Sequence, residues 1–558
     1  MDDVRGRDVE REAAAMRGDQ ALAWGARAAG VRVVTGYPGS PATGVFDALL
    51  AEAGEDVQIG WAPNEKVAME LAFGASLAGA RSLVVLKSVG LNVALDPLAT
   101  MVLGGVRGGM VILLGEDPGA WSSQNEQDSR WAARLAQVPV VEPTDVAQAA
   151  AIMAQAYAWS EKIELPVVVR VTPALTGEVG PVEAPWELPP SRLRFWRKRN
   201  RWVVLPYTVV KRHRAQHRHL RALRELFEAS PYDVACRGAG AERLAIIAVG
   251  NMAGKLRDMP GEDGETYDRL ALSSVWPLPE ESLLTWLAGT RRVLVLEEGS
   301  AFVEGELRAL LQRAGVDLPV LGRQNGAVPE EGELGQTEIA KALRALDPTR
   351  LMPAGRPAER EMPSTQALCP ECPYRPTFAA LLAAMERHGG RNRHIVIGET
   401  GCMVRGNLAP YELFDIKYSL GSGLGVGLGL ALSDGRHRPV AVLGDSSFFH
   451  SDLNALPYAV QMDAPLTVLV LDNGTTALTG GQPHPGSPAD ERGRPRPGAD
   501  LAAAIAGCGI APRVVELSGG GAASAATELD AALDAALAAE GLAVVIVRGP
   551  CPRYVGED

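Results

Sequence analysis

Two polar residues, Asp445 and Asn473, each follow an apolar run in the last third of the chain. The runs are PVAVLG (439–444) and LTVLVLD (466–472), and both have the length and composition of buried strands. A helix's length of sequence separates them, which predicts a parallel strand-helix-strand unit. In such a unit the two strands end at the same sheet edge, where ligands bind.

A carboxylate and an amide oxygen at one sheet edge suit Mg²⁺, which prefers oxygen ligands. Gly474 directly after Asn473 permits a tight turn, and this turn would direct the carbonyl of Thr475 toward the metal. Asp and Asn are also common turn residues at strand ends. The residues alone therefore leave a magnesium site and an ordinary pair of turns as alternatives.

A second carboxylate, Glu65, lies in the segment APNEKVAMEL, at the start of an amphipathic helical pattern. A carboxylate in this position is favoured by the helix macrodipole and by capping. A purely structural role for Glu65 is thus the alternative to a catalytic one.

The elements that must position these residues are short apolar strands that alternate with Ala- and Leu-rich helical stretches. Strands are predicted at 32–36, 82–87, 110–115, 166–171, 245–250, 292–298, 394–398, 439–444, 466–472 and 543–548. Fully apolar strands between helices indicate parallel sheets that are covered on both faces. The fold class is therefore α/β, with doubly wound parallel sheets.

Two Pro-rich segments without periodicity, 178–200 and 347–375, are predicted to be linkers. They divide the chain into domains at about 1–180, 200–345 and 360–558, as expected for a chain of 558 residues. The basic stretch KRHRAQHRHLRALRELFEAS lies just after the first linker. It is interpreted as a solvated face or an interdomain contact.

The charge and cysteine content exclude several function classes. A net charge of −12 argues against nucleic-acid binding as the main function. The sequence contains no apolar run long enough to span a bilayer, and it starts without a secretory signal pattern, so a cytoplasmic location is expected. Six cysteines in a chain of this length do not indicate a disulfide framework.

The 444–473 stretch is similar to the thiamine diphosphate (TPP) motif that opens Gly-Asp-Gly, with Ser446 in place of the third residue. Five further patterns occur in order along the chain: GYPGSPAT (36–43), NEKVAMELAFGASLAGARSLVVLKSVGLNVALDPL (64–98), GEDPGAWSSQNEQDSR (115–130), CPECPYRPTF (369–378) and LDNGTTALTGGQPHPG (471–486). Together these segments resemble one family, the alpha subunits of indolepyruvate ferredoxin oxidoreductase.

The resemblance implies a domain architecture and a cofactor site. Residues 1–180 would be the pyrimidine-binding domain, 200–345 a transketolase-C-like domain and 360–558 the diphosphate-binding domain. Asp445 and Asn473 would bind Mg²⁺ through their side chains.

The remaining cofactor contacts are implied in the same way. Thr475 would bind Mg²⁺ through its carbonyl, and Gly444 and Ser446 would contact the cofactor. Cys369 and Cys372 would lie beside the cofactor without forming a cluster ligand set, because no second CxxC motif accompanies them.

The resemblance also places Glu65 at the cofactor's aminopyrimidine, where its carboxylate would bind N1′ and so promote removal of the C2 proton. Thr35 and Ser40 become candidates for binding the substrate carboxylate, with a plain tight turn as the alternative. His450 and His484 are tentative substrate residues, with structural imidazoles as the alternative.

The chain departs from the family at three places. It ends at Asp558 without the ferredoxin-like domain, so no iron–sulfur cluster is expected in it. Gly481 and Tyr374 stand where histidines are expected. These departures leave open how electrons leave the site after decarboxylation.

Three functions therefore remain. The first is the catalytic subunit of a 2-oxoacid oxidoreductase that acts on an arylpyruvate such as indolepyruvate and forms an acyl-CoA. It would work as a homodimer with a gamma- or beta-type subunit and an external acceptor such as ferredoxin. The second is a nonoxidative decarboxylase or carboligase. The third is a non-catalytic TPP-binding scaffold or regulatory subunit.

Overall fold

The computed structural model describes residues 14–240, 242–260, 266–349, 356, 367–517 and 522–554. The chain divides into two compact units, Met1–Ile59 with Glu65–Arg360 and Gly60–Asn64 with Glu361–Asp558. The three-domain division at 1–180, 200–345 and 360–558 stays a prediction. Much of the second predicted linker lies outside the described residues.

Within the described residues, the strands are β1 (Ala14–Arg17), β2 (Val33–Gly36), β3 (Gln58–Trp61), β4 (Ser82–Lys87), β5 (Met110–Gly115), β6 (Val140–Val141), β7 (Val167–Val171), β8 (Val179–Val182), β9 (Val234–Cys236), β10 (Leu244–Val249), β11 (Asp268–Leu272), β12 (Ser274–Trp276), β13 (Arg292–Leu296), β14 (Val320–Leu321), β15 (His394–Gly398), β16 (Ile416–Lys417), β17 (Arg438–Gly444), β18 (Thr467–Asp472), β19 (Arg513–Glu516) and β20 (Ala543–Arg548).

The α-helices of the same ranges are α1 (Gly18–Ala28), α2 (Thr43–Glu52), α3 (Glu65–Leu77), α4 (Ser88–Gly104), α5 (Arg130–Ala136), α6 (Val146–Ile163), α7 (Pro173–Gly177), α8 (Arg199–Trp202), α9 (Pro206–Glu228), α10 (Met252–Arg257), α11 (Glu280–Leu287), α12 (Phe302–Ala314), α13 (Gln336–Leu346), α14 (Tyr374–Arg387), α15 (Gly423–Ser433), α16 (Asp445–Ser447), α17 (Leu453–Met462), α18 (Leu501–Gly507) and α19 (Ala522–Ala538).

Three largely parallel sheets confirm the α/β fold prediction. The first unit contains a seven-stranded sheet of order β12-β6-β7-β5-β4-β2-β3 and a five-stranded sheet of order β14-β13-β10-β11-β9. The second unit contains a six-stranded sheet of order β16-β15-β17-β18-β20-β19, and its strand pairs are parallel. Every residue of β4 and β5 is buried, as expected for strands that helices cover on both faces.

Several strands of the first unit have no counterpart in the predicted strands. The short strands β1 and β8 form an antiparallel ribbon, and β8 lies inside the first predicted linker. Strand β12 comes from the predicted second domain but pairs antiparallel with β6 of the seven-stranded sheet. Strands this short carry little periodic signal, so a sequence pattern does not reveal them.

The basic stretch of the sequence analysis lies on α9. One face of this helix is buried through Arg212, Gln216, Leu223 and Phe227, while most of its other residues are partly or fully exposed. None of the helices in the described ranges has the length and apolar character needed to cross a membrane.

Candidate active site

Asp445 and Asn473 lie where the sequence analysis expects them, at the carboxyl ends of adjacent parallel strands. Gly444 of β17 is in register with Leu471 of β18, so the next residues of both strands emerge side by side. The side chain of Asp445 is nearly fully buried. Its Oδ2 accepts hydrogen bonds from the backbone N–H groups of Asn473 at 3.1 Å and Gly474 at 2.8 Å.

The turn after β18 depends on Gly474, which has a φ of +78°. This left-handed conformation favours glycine, because a residue with a Cβ atom adopts it only at a cost in conformational free energy. The turn folds Thr475 back, so that its N–H donates to Oδ1 of Asn473 at 3.1 Å. Both Asn473 and Thr475 are buried.

Ser446 lies on the same edge, one residue after Asp445. Its backbone N–H donates to Oδ1 of Asp445 at 2.8 Å, and its Oγ accepts from the hydroxyl of Thr476 at 2.9 Å. Gly444 ends β17 and precedes the short helix α16. These residues form one continuous polar edge, which is the position predicted for cofactor contacts.

His484 is buried and contacts Asp445, which is a predicted metal ligand. Its Nε2 lies 3.1 Å from Oδ2 of Asp445, and its Nδ1 accepts from the N–H of Gly486 at 3.1 Å. Because Nδ1 is an acceptor in this arrangement, Nε2 carries the proton that is donated to Asp445. His450 is also buried, and its Nδ1 lies 2.7 Å from Oγ of Ser451. The substrate roles of both histidines stay predictions.

The donor set of this edge fits Mg²⁺ that carries a diphosphate. It offers one carboxylate, one side-chain amide oxygen and one backbone carbonyl, all of them hard oxygen ligands. In the described ranges no three His, Cys, Asp or Glu side chains group as a metal site. The predicted set does not need such a group, since only Asp445 belongs to those four residue types.

Cys369 and Cys372 line a cavity that also contains Asn473. Their place beside the cofactor stays a prediction. Two further cysteines, Cys402 and Cys551, line the same cavity. The sequence analysis recognised only the close pair, because the other two are distant in the chain. All six cysteines of the chain are free thiols.

Burial keeps two of these thiols protonated. It raises the pKa of Cys372 to about 11 and that of Cys402 to about 11. These two thiols are therefore uncharged near pH 7. Asn473 lines the same cavity, and its side-chain N–H donates to the hydroxyl of Tyr374 at 2.6 Å. Tyr374 stands where the family pattern predicts histidine, and here it anchors a predicted metal ligand.

The sequence analysis missed a pair of buried carboxyl groups, Glu399 and Asp452. Glu399 follows β15 at the same sheet edge, and it accepts hydrogen bonds from the hydroxyl of Ser447 and the N–H of Gly423. Burial raises the pKa of both groups, and the proximity of Glu399 raises that of Asp452 further. Glu399 lies outside the resembling segments, and Asp452 lies within the 444–473 stretch without being one of its predicted site residues, so only their convergence in space reveals the pair.

Glu65 is the first residue of α3, and it is 7% exposed. Gly90 of α4 lies directly against it: a Cβ atom added at Gly90 would come within 2.5 Å of Oε1 of Glu65. The absence of a side chain at Gly90 thus creates the space that the carboxylate occupies. Glu65 is therefore a buried carboxyl group built into a helix-helix contact.

The two candidate residues for the substrate carboxylate differ in environment. Thr35 is buried in β2, and its Oγ1 has no hydrogen-bond partner in the described structure. Ser40 is exposed in the loop that follows β2. The structure therefore does not place the two hydroxyl groups in one common setting, and their roles stay predictions.

Two protein-family models match separate parts of the chain. Residues 24–205 match the family model "Pyruvate flavodoxin/ferredoxin oxidoreductase, thiamine diP-bdg". Residues 399–547 match "Thiamine pyrophosphate enzyme, C-terminal TPP binding domain". Together with the parallel sheets, these matches define a TPP-dependent 2-oxoacid oxidoreductase.

Full-length relatives specify the family. "Indolepyruvate oxidoreductase subunit IorA" of Archaeoglobus fulgidus is 34% identical over 98% of this chain and 87% of its own length. The protein of the same name from Methanothermobacter marburgensis is 32% identical over 96% and 86%. The chain belongs to this indolepyruvate oxidoreductase subunit IorA family.

Solved structures show a weaker likeness. A 2-oxoglutarate:ferredoxin oxidoreductase from Magnetococcus marinus is 16% identical, with a TM-score of 0.46 over 56% of this chain and 62% of that chain.

Proposed function

We propose that this chain is the catalytic subunit of a TPP- and Mg²⁺-dependent enzyme that decarboxylates an arylpyruvate such as indolepyruvate oxidatively. The product would be an acyl-CoA, and the electrons would pass to an external acceptor such as ferredoxin. The observation that carries the proposal is the buried oxygen edge of Asp445, Asn473 and Thr475 at the ends of β17 and β18. The substrate is proposed from the name of the relatives.

Each part of the chain has a defined task in this proposal. Asp445, Asn473 and the carbonyl of Thr475 would hold Mg²⁺ with the cofactor's diphosphate. Glu65 would bind N1′ of the aminopyrimidine and hold a proton there. Bound TPP supplies the electron sink that allows a 2-oxoacid to lose CO₂.

The partners follow from the chemistry. Coenzyme A and electron transfer require further binding surfaces, for which we propose a gamma- or beta-type subunit and a homodimeric assembly. A cytoplasmic location is proposed from the six free thiols, since thiols persist in a reducing compartment.

The experiment that tests the cofactor site is a titration of the purified protein with TPP at several Mg²⁺ concentrations. Wild-type protein should bind TPP with an affinity that rises with Mg²⁺. Asp445→Asn should weaken this binding on the order of 10- to 100-fold, because it removes the anionic metal ligand. Asp434→Asn serves as the control, since Asp434 is a surface residue at the end of α15. Equal affinity of Asp445→Asn and wild type would reject the site.

The acceptor is tested separately with arylpyruvate, TPP and Mg²⁺. Acyl-CoA that forms only with CoA and an oxidised acceptor supports the oxidative reaction. Aldehyde release without an acceptor supports the nonoxidative alternative. Iron and acid-labile sulfide should be measured on the same sample. Stoichiometric amounts of both would contradict the prediction that this chain holds no iron–sulfur cluster, and the cavity with four cysteines would be the place to look for it.

A further inference from the structure

A buried lysine, Lys87, lies at the carboxyl end of the seven-stranded sheet and belongs to none of the predicted site residues. It is the last residue of β4 and directly precedes α4. Its side chain is 10% exposed. Burial of an ammonium group costs free energy unless the group is paired with an anion or hydrogen-bonded, because burial removes its hydration.

Two loops meet at Lys87, and the sequence analysis predicts that one of them, the loop after β2, contacts the substrate. In the loop after β2, a Cβ atom added at Gly39 would lie 2.8 Å from Cβ of Lys87. In the loop after β5, the ammonium group donates to the carbonyl of Ser122 at 2.8 Å and to its Oγ at 2.9 Å. The lysine is also three residues before Gly90, against which Glu65 packs.

The neighbouring acid, Asp117, leaves the charge of Lys87 only partly compensated. Its Oδ2 is 3.6 Å from Nζ of Lys87, beyond hydrogen-bond distance. The same oxygen already accepts from the N–H and hydroxyl of Ser122 and from the hydroxyl of Ser123, at 2.6–3.0 Å. Asp117 is therefore satisfied chiefly by neutral donors.

Two buried arginines near this end of the sheet, Arg130 and Arg170, are paired more closely with carboxylates than Lys87 is. Arg130 forms a salt bridge with Asp128 at 2.6 Å, and Arg170 forms one with Glu116 at 2.9 Å. Each arginine thus has a carboxylate at hydrogen-bond distance. Among these three buried cations, Lys87 alone lies beyond hydrogen-bond distance of its paired carboxylate, which is 3.6 Å away.

We propose that Lys87 binds the carboxylate of the 2-oxoacid and so makes the site specific for acids over their neutral analogues. The inference rests on the proposed function, because it takes the 2-oxoacid as the substrate. During decarboxylation the bond between the carboxyl and the keto carbon breaks, the electron pair stays with the keto carbon, and CO₂ leaves uncharged. Ser122 and Asp117 then remain as partners of the ammonium group, so the buried charge does not become unpaired.

The test uses an acid that cannot react, 3-phenyllactate, and its methyl ester, which lacks the charge. Both are titrated calorimetrically into TPP- and Mg²⁺-loaded protein. Lys87→Met should weaken binding of the acid about 10- to 100-fold and leave the ester unchanged, as expected for the loss of one charge-assisted contact. Lys87→Arg should restore part of the affinity for the acid. Lys162→Met, at an exposed lysine of α6, is the control and should behave as wild type.

Two results would overturn the proposal. One is equal binding of the acid by Lys87→Met and wild type, and the other is an equal loss of acid and ester, which indicates a merely structural role. If Lys87→Met does not fold, the same two titrations are made with Lys87→Gln, whose amide can still donate to Ser122. Lys87→Gln is neutral, so it should show the same selective loss of affinity for the acid. In turnover, the KM for phenylpyruvate should rise in the folded neutral variant while the affinity for TPP stays constant.

Failure of the proposed function is distinguishable from failure of this inference. Wild-type protein that binds the acid more tightly than the ester but turns over no arylpyruvate contradicts the proposed function and supports the role of Lys87. Wild-type protein that binds the ester as tightly as the acid contradicts the role of Lys87, whatever its turnover.

Discussion

The seven-stranded sheet of the first unit and the six-stranded sheet of the second unit differ in what surrounds their buried acidic groups. At the first sheet, buried carboxyl groups lie against buried guanidinium groups, as in the pair Arg170–Glu116 at 2.9 Å. At the second sheet, burial raises the pKa of Tyr374, Cys372 and Asp452, and Asp452 has another buried acid, Glu399, as its neighbour. The same architecture thus places buried acids beside cations at one sheet and beside neutral donors or other acids at the other.

This difference has a chemical consequence. Matched ions at the first sheet provide a polar setting in which an anionic substrate can replace or join existing partners. Around Asp445, by contrast, burial raises the pKa of the nearby acids Glu399, Asp452 and Asp472, which lowers the negative charge that competes with Asp445 for a metal ion. One edge is suited to binding an anion, and the other is suited to binding a cation that carries a diphosphate.

The largest expected effect concerns the proposed catalytic carboxyl group of the first unit. Glu65→Gln should reduce acceptor-dependent turnover on the order of 10²- to 10⁴-fold, because the amide cannot exchange a proton with N1′. The rate at which the C2 proton of TPP exchanges with deuterium, followed by NMR, should fall in parallel. Glu70→Gln on the exposed side of α3 is the control. Turnover of Glu65→Gln at the wild-type level would remove Glu65 from the mechanism.

The matched ions of the first unit are tested by removing one cation. Arg170→Met leaves Glu116 and Glu142 without the guanidinium group that contacts each of them at 2.9 Å. The free energy of unfolding in urea should drop by about 3–5 kcal/mol. Arg134→Met, which removes an exposed ion pair with Glu306, should cost less than about 1 kcal/mol. Similar losses in both variants would contradict the comparison.

The raised pKa of a buried acid in the second unit predicts a pH dependence of stability. The pKa of Asp452 is raised in the folded state, so this group takes up a proton on folding at intermediate pH. Its contribution to stability is full below its unfolded pKa of about 4 and is lost as the pH rises through the folded pKa. Asp452→Asn should therefore gain stability relative to wild type between pH 5 and pH 8. Urea unfolding at several pH values measures this, and a difference that is independent of pH would refute it.

The smallest expected effect concerns Tyr374. Tyr374→Phe removes the acceptor of the hydrogen bond from the side-chain N–H of Asn473, at 2.6 Å. The cost should be about 1 kcal/mol of unfolding free energy, together with a few-fold weaker affinity for TPP. Tyr458→Phe, at an exposed tyrosine of α17, should change neither quantity. A Tyr374→Phe variant with unchanged TPP affinity would show that this anchor does not position Asn473.

Each predicted run coincides with an interior strand of one of the three sheets, because a buried parallel strand is a continuous apolar run, whereas the strands at the sheet edges are not predicted. The predicted runs 82–87 and 110–115 coincide with β4 and β5, and 394–398 coincides with β15. Since strand ends are where polar residues first appear, Asp445 and Asn473 could also be located from the pattern. Their approach in space follows from the parallel register of β17 and β18.

Contacts between distant segments could not be predicted in this way. Cys402 and Cys551 come from separate loops, and no local spacing relates them to Cys369. Glu399 and Asp452 each look like an ordinary polar residue in the sequence, and only their mutual burial shifts their pKa values. Lys87 ends a predicted strand, yet its significance depends on a serine in another loop.

The contact between Gly90 and Glu65 has a consequence for how natural variation in this chain should be interpreted. Gly90→Ala adds a single methyl group and would rank among the mildest of substitutions by size. Here that methyl group would collide with a buried carboxyl group from another helix. A substitution at Gly90 would thus displace the carboxyl group of Glu65 without changing Glu65 itself. Sequences that differ at Gly90 should therefore differ in the position of this carboxyl group.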